Sequence, residues 1–179
     1  MSSKAFDHGP RTPGRTILIA VALAAGLAVQ TATAEMRPVS AQAAAPQLVL
    51  QTDNGPLDLS QLRGQVVYVD FWASWCGPCR KSFPWLNDMQ ARYGKDGLKI
   101  VAINLDKDRA QAERFLEDYA PRFTIAFDPQ ANSARAFVVK GMPSSYLIDR
   151  NGNVVHAHVG FRKKDTEAME ARIRSLLQH

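Results

Sequence analysis

Cysteine is scarce in this sequence: Cys76 and Cys79 are the only two among 179 residues. A structural zinc site needs four ligands, so two cysteines do not form one by themselves. His156 and His158 would have to complete it, but they alternate in a strand-like run far along the chain. A bridge across so short a spacing also constrains the unfolded chain very little. Redox chemistry is therefore the favoured role of the cysteine pair.

Long hydrophobic runs and long runs of one charge are missing as well. The N-terminal apolar block, Ile17–Val29, is shorter than the roughly 20 residues that comfortably span a bilayer. The formal net charge is +5, but acidic and basic residues are interleaved, and no basic run is longer than Arg162–Lys164. Binding to nucleic acid is therefore not expected.

The N-terminus has the three parts of a secretory signal peptide. A polar, positively charged segment, Met1–Arg15, precedes the apolar block, and Ala32–Ala34 offers a cleavage site with small residues. We expect residues 1–34 to be removed on export, and an uncleaved membrane anchor is the alternative. Residues 35–46 are rich in Ala, Gln and Pro and predict a flexible leader, which leaves residues 47–179 as one domain.

The centre of that domain is a buried strand followed by the cysteine pair. Val66–Ala73 is an apolar, β-branched and aromatic run with one charged residue, Asp70. A Cys-Gly-Pro-Cys turn follows, and apolar residues at helical spacing from Arg80 to Tyr93 predict a helix. Cys76 therefore opens a helix, where unpaired N–H groups and the helix dipole lower the pKa of its thiol below about 8.5.

This placement suggests a different role for each of three side chains. Cys76 is the expected nucleophile. Cys79 lies three residues further on the same helix face, close enough to attack a mixed disulfide formed by Cys76 and to close the intramolecular disulfide. Asp70 is expected to be buried, and burial raises the pKa of a carboxyl group. We therefore predict that Asp70 accepts the proton of Cys79 through a water molecule.

Several segments resemble the thioredoxin superfamily. Val69–Cys79 resembles the active-site segment of thioredoxins, and Gly141–Pro143 resembles their cis-proline loop. The stretch Leu57–Gly160 is similar to the extracytoplasmic TlpA-like and ResA-like thiol:disulfide oxidoreductases, with Leu57–Gln65 and Ser144–Gly152 as its further marks. The resemblance implies a thioredoxin-like α/β fold. Such a fold has a central mixed β-sheet flanked by helices, here with a short N-terminal β addition and an inserted helix.

The resemblance also implies which residues meet the substrate. It implies a cis peptide bond before Pro143, which leaves the backbone of Met142 free to pair with an extended substrate beside the cysteines. Trp72 and Trp75 flank the cysteines and are candidates for an apolar rim where a partner docks, with a place in the core as the alternative for Trp72. Gly77 and Pro78, between the cysteines, belong to the same substrate-binding set. This Gly-Pro pair resembles reducing members of the superfamily more than oxidising ones.

Hydrophobic periodicity outlines the remaining elements. It predicts strands at Leu48–Gln51, at the start of Leu57–Leu62, and at Lys99–Leu105, Thr124–Phe127, Tyr146–Asp149 and Val154–Val159. It predicts further helices at Arg109–Tyr119, Ala131–Phe137 and Asp165–Leu177. The last two strands are joined by an Asn-Gly turn, which is typical of a β-hairpin.

Two other pairs of polar residues have simpler interpretations than a catalytic or metal site. His156 and His158 share one face of a predicted strand, which suits metal binding, but an exposed strand face explains them with fewer assumptions. Asp106 and Asp108 alternate with basic residues, so we interpret them as part of a solvated loop rather than as a catalytic dyad. The sequence therefore predicts no metal site.

Together these features predict a periplasmic thiol:disulfide oxidoreductase that reduces disulfides in other exported proteins. The resemblance implies no cofactor beyond the redox-active Cys76–Cys79 disulfide and re-reduction by a membrane electron donor of the DsbD or CcdA type. It also implies a role in cytochrome c maturation or in copper-site assembly of cytochrome oxidase, and we expect a monomer. Two alternatives stay open: a DsbA-like disulfide donor, and a chaperone that binds Cu(I) through Cys76, Cys79 and Met142.

Overall fold

The computed structural model describes residues 43–179, and the elements within them follow the order of an α/β fold. The strands are β1 (Ala43–Ala44), β2 (Val49–Thr52), β3 (Gly55–Asp58), β4 (Val66–Trp72), β5 (Leu98–Asn104), β6 (Thr124–Phe127), β7 (Ser144–Ile148) and β8 (Asn153–Val159). The α-helices are α1 (Gly77–Tyr93), α2 (Arg109–Tyr119), α3 (Asn132–Ala136) and α4 (Thr166–Leu177). The predicted signal peptide and the leader up to residue 42 lie outside the described residues. Within residues 43–179, no helix has both the length and the apolar character needed to cross a membrane.

All eight strands form one mixed sheet with β4 near its centre. The order across the sheet is β1-β8-β7-β4-β5-β6-β2-β3. β4 pairs with β5 in parallel and with β7 in antiparallel orientation, and every residue of β4 is buried. Parallel pairing brings the carboxyl ends of β4 and β5 to the same edge of the sheet, with Trp72 opposite Asn104. The loop after β4 therefore starts beside the segment that follows β5.

Two hydrophobic cores cover the two faces of the sheet. The side chains of β4 alternate between them: Tyr68 and Trp72 lie in one core, and Val69 and Phe71 lie in the other. The first core also contains residues of α1, α2 and α4, together with both cysteines. By the same alternation, Asp70 faces the core that α1 covers, on the side of the sheet where the cysteines lie.

The predicted bounds of α2 and β6 agree with the structure, and one N-terminal prediction differs from it. As predicted, the strand occupies only the start of Leu57–Leu62. β3 ends at Asp58, whose carboxylate accepts a hydrogen bond from the backbone N of Ser60 (2.8 Å) and caps a single 3-10 turn. Ala43–Ala44, inside the predicted leader, pairs with β8 as an edge strand. The sheet therefore begins earlier than the composition indicated.

Candidate active site

Cys76 and Cys79 form a disulfide at the N-terminus of α1. Cys76 is the residue that caps the helix, Cys79 lies in its first turn, and their Cα atoms are 5.3 Å apart. The backbone N of Cys76 donates to the carbonyl O of Ala73 (3.0 Å), which closes the turn between β4 and α1. Cys76 therefore occupies the helix N-terminus, as the sequence predicted.

The first turn of α1 supplies a hydrogen-bond donor to the Cys76 sulfur. The backbone N of Cys79 donates to Cys76 Sγ over 3.3 Å. In the reduced protein a thiolate at Cys76 accepts this bond more strongly than a thiol, and the positive end of the helix dipole adds to the effect. Both cysteines are buried, so burial disfavours both thiolates, and only that of Cys76 gains the compensating hydrogen bond at the helix N-terminus. The site therefore favours ionisation of Cys76 over ionisation of Cys79.

The loop before β7 lies beside the disulfide, because its residues Gly141 and Met142 line the same groove as Cys76. Its Met142–Pro143 peptide bond is cis, which confirms the prediction for this bond. Two hydrogen bonds hold the loop: the backbone N of Gly160 donates to the O of Pro143 (2.7 Å), and Ser144 Oγ donates to the O of Gly141 (2.6 Å). Met142 packs against the core that contains both cysteines. The Met142–Pro143 loop and the disulfide thus form one continuous surface.

An open groove runs beside the disulfide between α1 and this loop. Four of the five residues predicted to bind substrate lie in its lining, together with Cys76: Trp75, Gly77, Pro78 and Met142. The fifth, Pro143, is buried. The sequence did not predict the rest of the lining, which comes from the residue after β5, from the middle of α3 and from the chain that leads to Met142: Leu105, Ala134, Val139, Lys140 and Gly141.

Asp70 is buried on the same face of the sheet as the cysteines. Only 2% of the residue is exposed, and its Oδ2 has no hydrogen-bond partner among the described residues. Its direct neighbours across the sheet are Ala102 in β5 and Ser145 in β7. Burial raises the pKa of Asp70 well above its ordinary value. When ionised, this carboxylate is a stronger base than an exposed aspartate.

The two tryptophans near the disulfide differ in exposure. Trp72 is fully buried and packs against Phe83 and Phe115, with ring centroids 4.8 and 4.7 Å away. Trp75 is 67% exposed at the rim of the groove. Trp72 therefore belongs to the core, and Trp75 is the tryptophan that a docking partner can reach.

Asp106 corrects the prediction of a solvated loop. It is only 4% exposed, and its carboxylate accepts three hydrogen bonds. Oδ2 accepts from the backbone N of Ser74 (2.8 Å) and from Asn104 Nδ2 (2.8 Å), and Oδ1 accepts from Ser74 Oγ (3.0 Å). Asp108, in contrast, is exposed and caps α2 through the backbone N of Ala110 (3.0 Å). The prediction was wrong for Asp106 because the parallel register brings it beside the loop that follows β4.

Ser74 is bonded from both sides of the loop. Besides its two bonds to Asp106, its carbonyl O accepts from Arg80 Nη2 (2.9 Å). Sequence reasoning missed this set of residues, although one signal was available. Asp106 comes directly after the predicted strand Lys99–Leu105. A helix connects this strand to the strand before the cysteines, which favours parallel pairing, and polar side chains at the carboxyl ends of neighbouring parallel strands meet.

The two histidines of β8 lie away from the disulfide groove. Their ring centroids are 6.5 Å apart, and His158 Nε2 is 3.6 Å from Asp165 Oδ2. Burial, with the positive charge of Arg172, lowers the pKa of His156. In the part of the chain that the structure describes, no three His, Cys, Asp or Glu side chains are grouped so as to hold a metal ion.

The sequence match to known families covers the whole of this site. A model of the Redoxin family matches residues 39–175. The chain belongs to the Redoxin family. The matched residues include both cysteines, Asp70, Asp106 and the Met142–Pro143 loop.

Two bacterial relatives are similar over most of their length. Thiol-disulfide oxidoreductase ResA of Bacillus subtilis is 31% identical over 146 residues, which covers 80% of this chain and 82% of that protein. ResA of Geobacillus kaustophilus is 34% identical over 154 residues, which covers 84% of this chain and 88% of that protein. This Redoxin-family chain is therefore a thiol-disulfide oxidoreductase.

Solved structures confirm the predicted thioredoxin-like fold. A Chlorobium tepidum protein, assigned as the thiol:disulfide interchange protein DsbE, has a TM-score of 0.76 and 50% identity, and the match covers 78% of this chain and 99% of that chain. StoA from Bacillus subtilis has a TM-score of 0.61 at 22% identity, covering 71% and 96%. At that identity StoA supports the fold alone.

Proposed function

We propose that this oxidoreductase reduces disulfides of exported proteins in the periplasm and that Cys76 is its attacking cysteine. The observation that carries the proposal is the position of Cys76 Sγ at the N-terminus of α1, 3.3 Å from the backbone N of Cys79 and in the lining of the groove beside Met142. The signal-peptide pattern of residues 1–34 and the likeness to extracytoplasmic oxidoreductases support the compartment.

The reaction begins from the reduced protein. The Cys76 thiolate attacks one sulfur of the partner's disulfide, forms a mixed disulfide, and releases the partner's other sulfur as a thiolate that takes up a proton. Cys79 then loses its proton to Asp70 through a water molecule and attacks Cys76 Sγ. The Cys76–Cys79 disulfide closes, and the partner's second thiol leaves. The partner gains two electrons, and the cysteine pair loses two.

The substrate lies in the groove in an extended conformation. Its backbone pairs with Met142 next to Pro143, while Trp75, Gly77 and Pro78 contact the residues beside its cysteine.

Because each turnover leaves the cysteine pair oxidised, a donor must return two electrons. A membrane donor of the DsbD or CcdA type fits an exported protein, and disulfide-bearing proteins of cytochrome c maturation or of copper-site assembly fit as partners. The protein acts as a monomer and binds no nucleic acid.

The first test traps the mixed disulfide. In Cys79→Ser the second step cannot occur, so we expect a covalent adduct with insulin at Cys76 that dithiothreitol releases. Cys76→Ser is the matched control, because it keeps one cysteine in the same turn and should form no such adduct. An adduct in Cys76→Ser, or none in either variant, would contradict the assigned roles.

The second test measures the reduction potential and so the direction of the reaction. Residues 35–179 are equilibrated with glutathione or dithiothreitol mixtures, and the state of the cysteines is read by alkylation. A potential near or below about −230 mV supports the reductase, whereas one near about −120 mV makes the protein a disulfide donor. Stoichiometric Cu(I) binding by the reduced protein, with no reduction of insulin, would instead favour the copper chaperone.

A further inference from the structure

The loop that presents Cys76 is short, and its first residue, Ala73, is fully buried in the core. Three residues connect β4 to Cys76, and the last of them, Trp75, points largely into solvent. A hydrogen bond from the backbone N of Cys76 to the O of Ala73 closes the turn (3.0 Å). The remaining anchor is Ser74, whose backbone N, hydroxyl and carbonyl O each have a side-chain partner. The position of Cys76 therefore depends on what holds Ser74 as well as on the burial of Ala73.

The partner on the inner side is Asp106. Its Oδ2 accepts hydrogen bonds from the backbone N of Ser74 (2.8 Å) and from Asn104 Nδ2 (2.8 Å), and its Oδ1 accepts one from Ser74 Oγ (3.0 Å). The backbone N of Asp106 donates to Asn104 Oδ1 (3.0 Å), so Asp106 is itself held at two points. A buried carboxylate bonded in this way is rigid, because moving it would break several charge-assisted hydrogen bonds at once.

We propose that Asp106 is a positioning residue for thiol-disulfide exchange. It holds Ser74, and through Ser74 it holds the loop that presents Cys76 to the N-terminus of α1 and to the Met142–Pro143 loop. The inference rests on the proposed role of Cys76 as the attacking cysteine. The described hydrogen bonds of the Asp106 carboxylate go to Ser74 and Asn104, so Asp106 positions the reacting sulfur through Ser74.

Replacing Asp106 by Asn separates position from charge. An Asn side chain can place its carbonyl O where Oδ2 lies and its amide where Oδ1 lies, because the Ser74 hydroxyl can accept a hydrogen bond as well as donate one. Asp106→Asn therefore keeps the contacts and removes the charge, whereas Asp106→Ala removes both. Loss of a nearby negative charge by itself lowers the pKa of the Cys76 thiol. Loss of position raises it, because the sulfur leaves the helix N-terminus.

The chain contains a matched control for the cost of losing such a bonded aspartate. Asp128 follows β6, is 9% exposed, and accepts hydrogen bonds from the backbone N (2.7 Å) and Oγ (2.5 Å) of Ser133. It therefore binds a serine through the same two groups as Asp106, but Ser133 belongs to α3 and not to the cysteine loop. Asp128→Ala should lower stability in a similar way without changing Cys76.

The experiment measures the pH dependence of iodoacetamide alkylation of Cys76, in proteins that also carry Cys79→Ser so that one thiol reacts. We expect the pKa of Cys76 to be higher in Asp106→Ala than in Asp106→Asn. Asp106→Ala should also exchange with insulin about tenfold more slowly at pH 7 than Asp106→Asn.

Asp128→Ala should keep the wild-type alkylation profile while its melting temperature falls. Ser74→Ala, which removes one contact, should slow exchange about twofold and serves if Asp106→Ala does not fold.

Three outcomes would overturn the proposal. They are an Asp106→Ala profile equal to that of Asp106→Asn, a Ser74→Ala rate equal to wild type, or a shift in Asp128→Ala as large as that in Asp106→Ala. The alkylation profile needs no partner protein, so it can be read even if the proposed function fails. Failure of that function would show instead as the absence of a trapped adduct in Cys79→Ser with Asp106 intact.

Discussion

Asp70 and Asp106 are two buried aspartates near the carboxyl ends of neighbouring parallel strands, but their surroundings are opposite. Asp106 accepts three hydrogen bonds, two from Ser74 and one from Asn104. Asp70 has an oxygen without a partner among the described residues, and burial raises its pKa. The charge of Asp106 is thus stabilised by hydrogen bonds, whereas a charge on Asp70 lowers the stability of the fold.

The difference separates two tasks that the cysteine loop requires. A fully bonded carboxylate is a good anchor, because its lone pairs are already engaged. A carboxylate without partners is a poor anchor and a stronger base, so it suits proton transfer. Substitutions at the two positions should therefore have opposite effects on stability. Loss of Asp70 should slow closure of the Cys76–Cys79 disulfide, and loss of Asp106 should slow the attack by Cys76.

The largest expected effect is kinetic and concerns Asp70. Asp70→Asn keeps the shape of the side chain but cannot accept the proton of Cys79. Closure of the Cys76–Cys79 disulfide should become about 100-fold slower at pH 7, which is typical of the loss of a general base. The initial attack by Cys76 should be nearly unchanged. Stopped-flow tryptophan fluorescence with an excess of a disulfide peptide separates the two phases.

Asp128→Asn is the matched control for this measurement, because it neutralises another buried carboxylate, one that bonds Ser133 of α3. Both of its phases should match the wild type. Slowing of the first phase alone in Asp70→Asn would contradict a role of Asp70 in the closing step. Unchanged closure across pH 6 to 9 would remove Asp70 from the reaction altogether.

The second effect is on stability, and it also concerns Asp70. Because its pKa is higher in the folded chain than in the unfolded chain, the stability that the protonated carboxyl contributes is fully present below the unfolded pKa of about 4. It is lost as the pH rises through the folded pKa. Asp70→Asn should therefore be more stable than wild type at pH 9, by about 1–3 kcal/mol. The gain should shrink steadily towards pH 4.

Urea unfolding of the disulfide forms at several pH values tests this expectation. Asp106→Ala is the opposing variant and should lose stability at every pH, because Ser74 N, Ser74 Oγ and Asn104 Nδ2 are left without their acceptor. A gain in Asp70→Asn that does not change with pH would show that burial of the charge is not its cause.

The contrast between the two aspartates also marks what the sequence can predict. Asp70 could be located because it interrupts a continuous apolar strand, and Cys76, Cys79 and Pro143 could be located because their motifs are local. Asp106 could not. Its burial depends on the parallel pairing of β4 with β5, which joins segments about thirty residues apart, whereas its own neighbours look like those of a solvated loop. Local charge patterns do not contain that information.

The N-terminal edge strand was missed for the same reason as Asp106. Ala43–Ala44 lies in a run whose composition predicts a leader, yet it pairs with Asn153 and Val154 of β8. The backbone makes these hydrogen bonds, and the alanine side chains give no alternating pattern from which a strand could be inferred. Elements held by backbone pairing to distant residues were thus the least predictable part of the fold.

The smallest expected effect is on stability and concerns the serine hydroxyls that donate to well-bonded aspartates. Ser74→Ala and Ser133→Ala each delete one hydroxyl that donates to a buried aspartate, over 3.0 Å to Asp106 and 2.5 Å to Asp128. Because the shorter bond to a carboxylate is the stronger one, Ser74→Ala should cost about 1 kcal/mol of stability and Ser133→Ala about 2 kcal/mol. Urea unfolding at pH 7 compares the two variants.

If stability alone determined the rate of disulfide exchange, Ser133→Ala would slow exchange more than Ser74→Ala. If position governs it, only Ser74→Ala slows exchange, although it is the less destabilised protein.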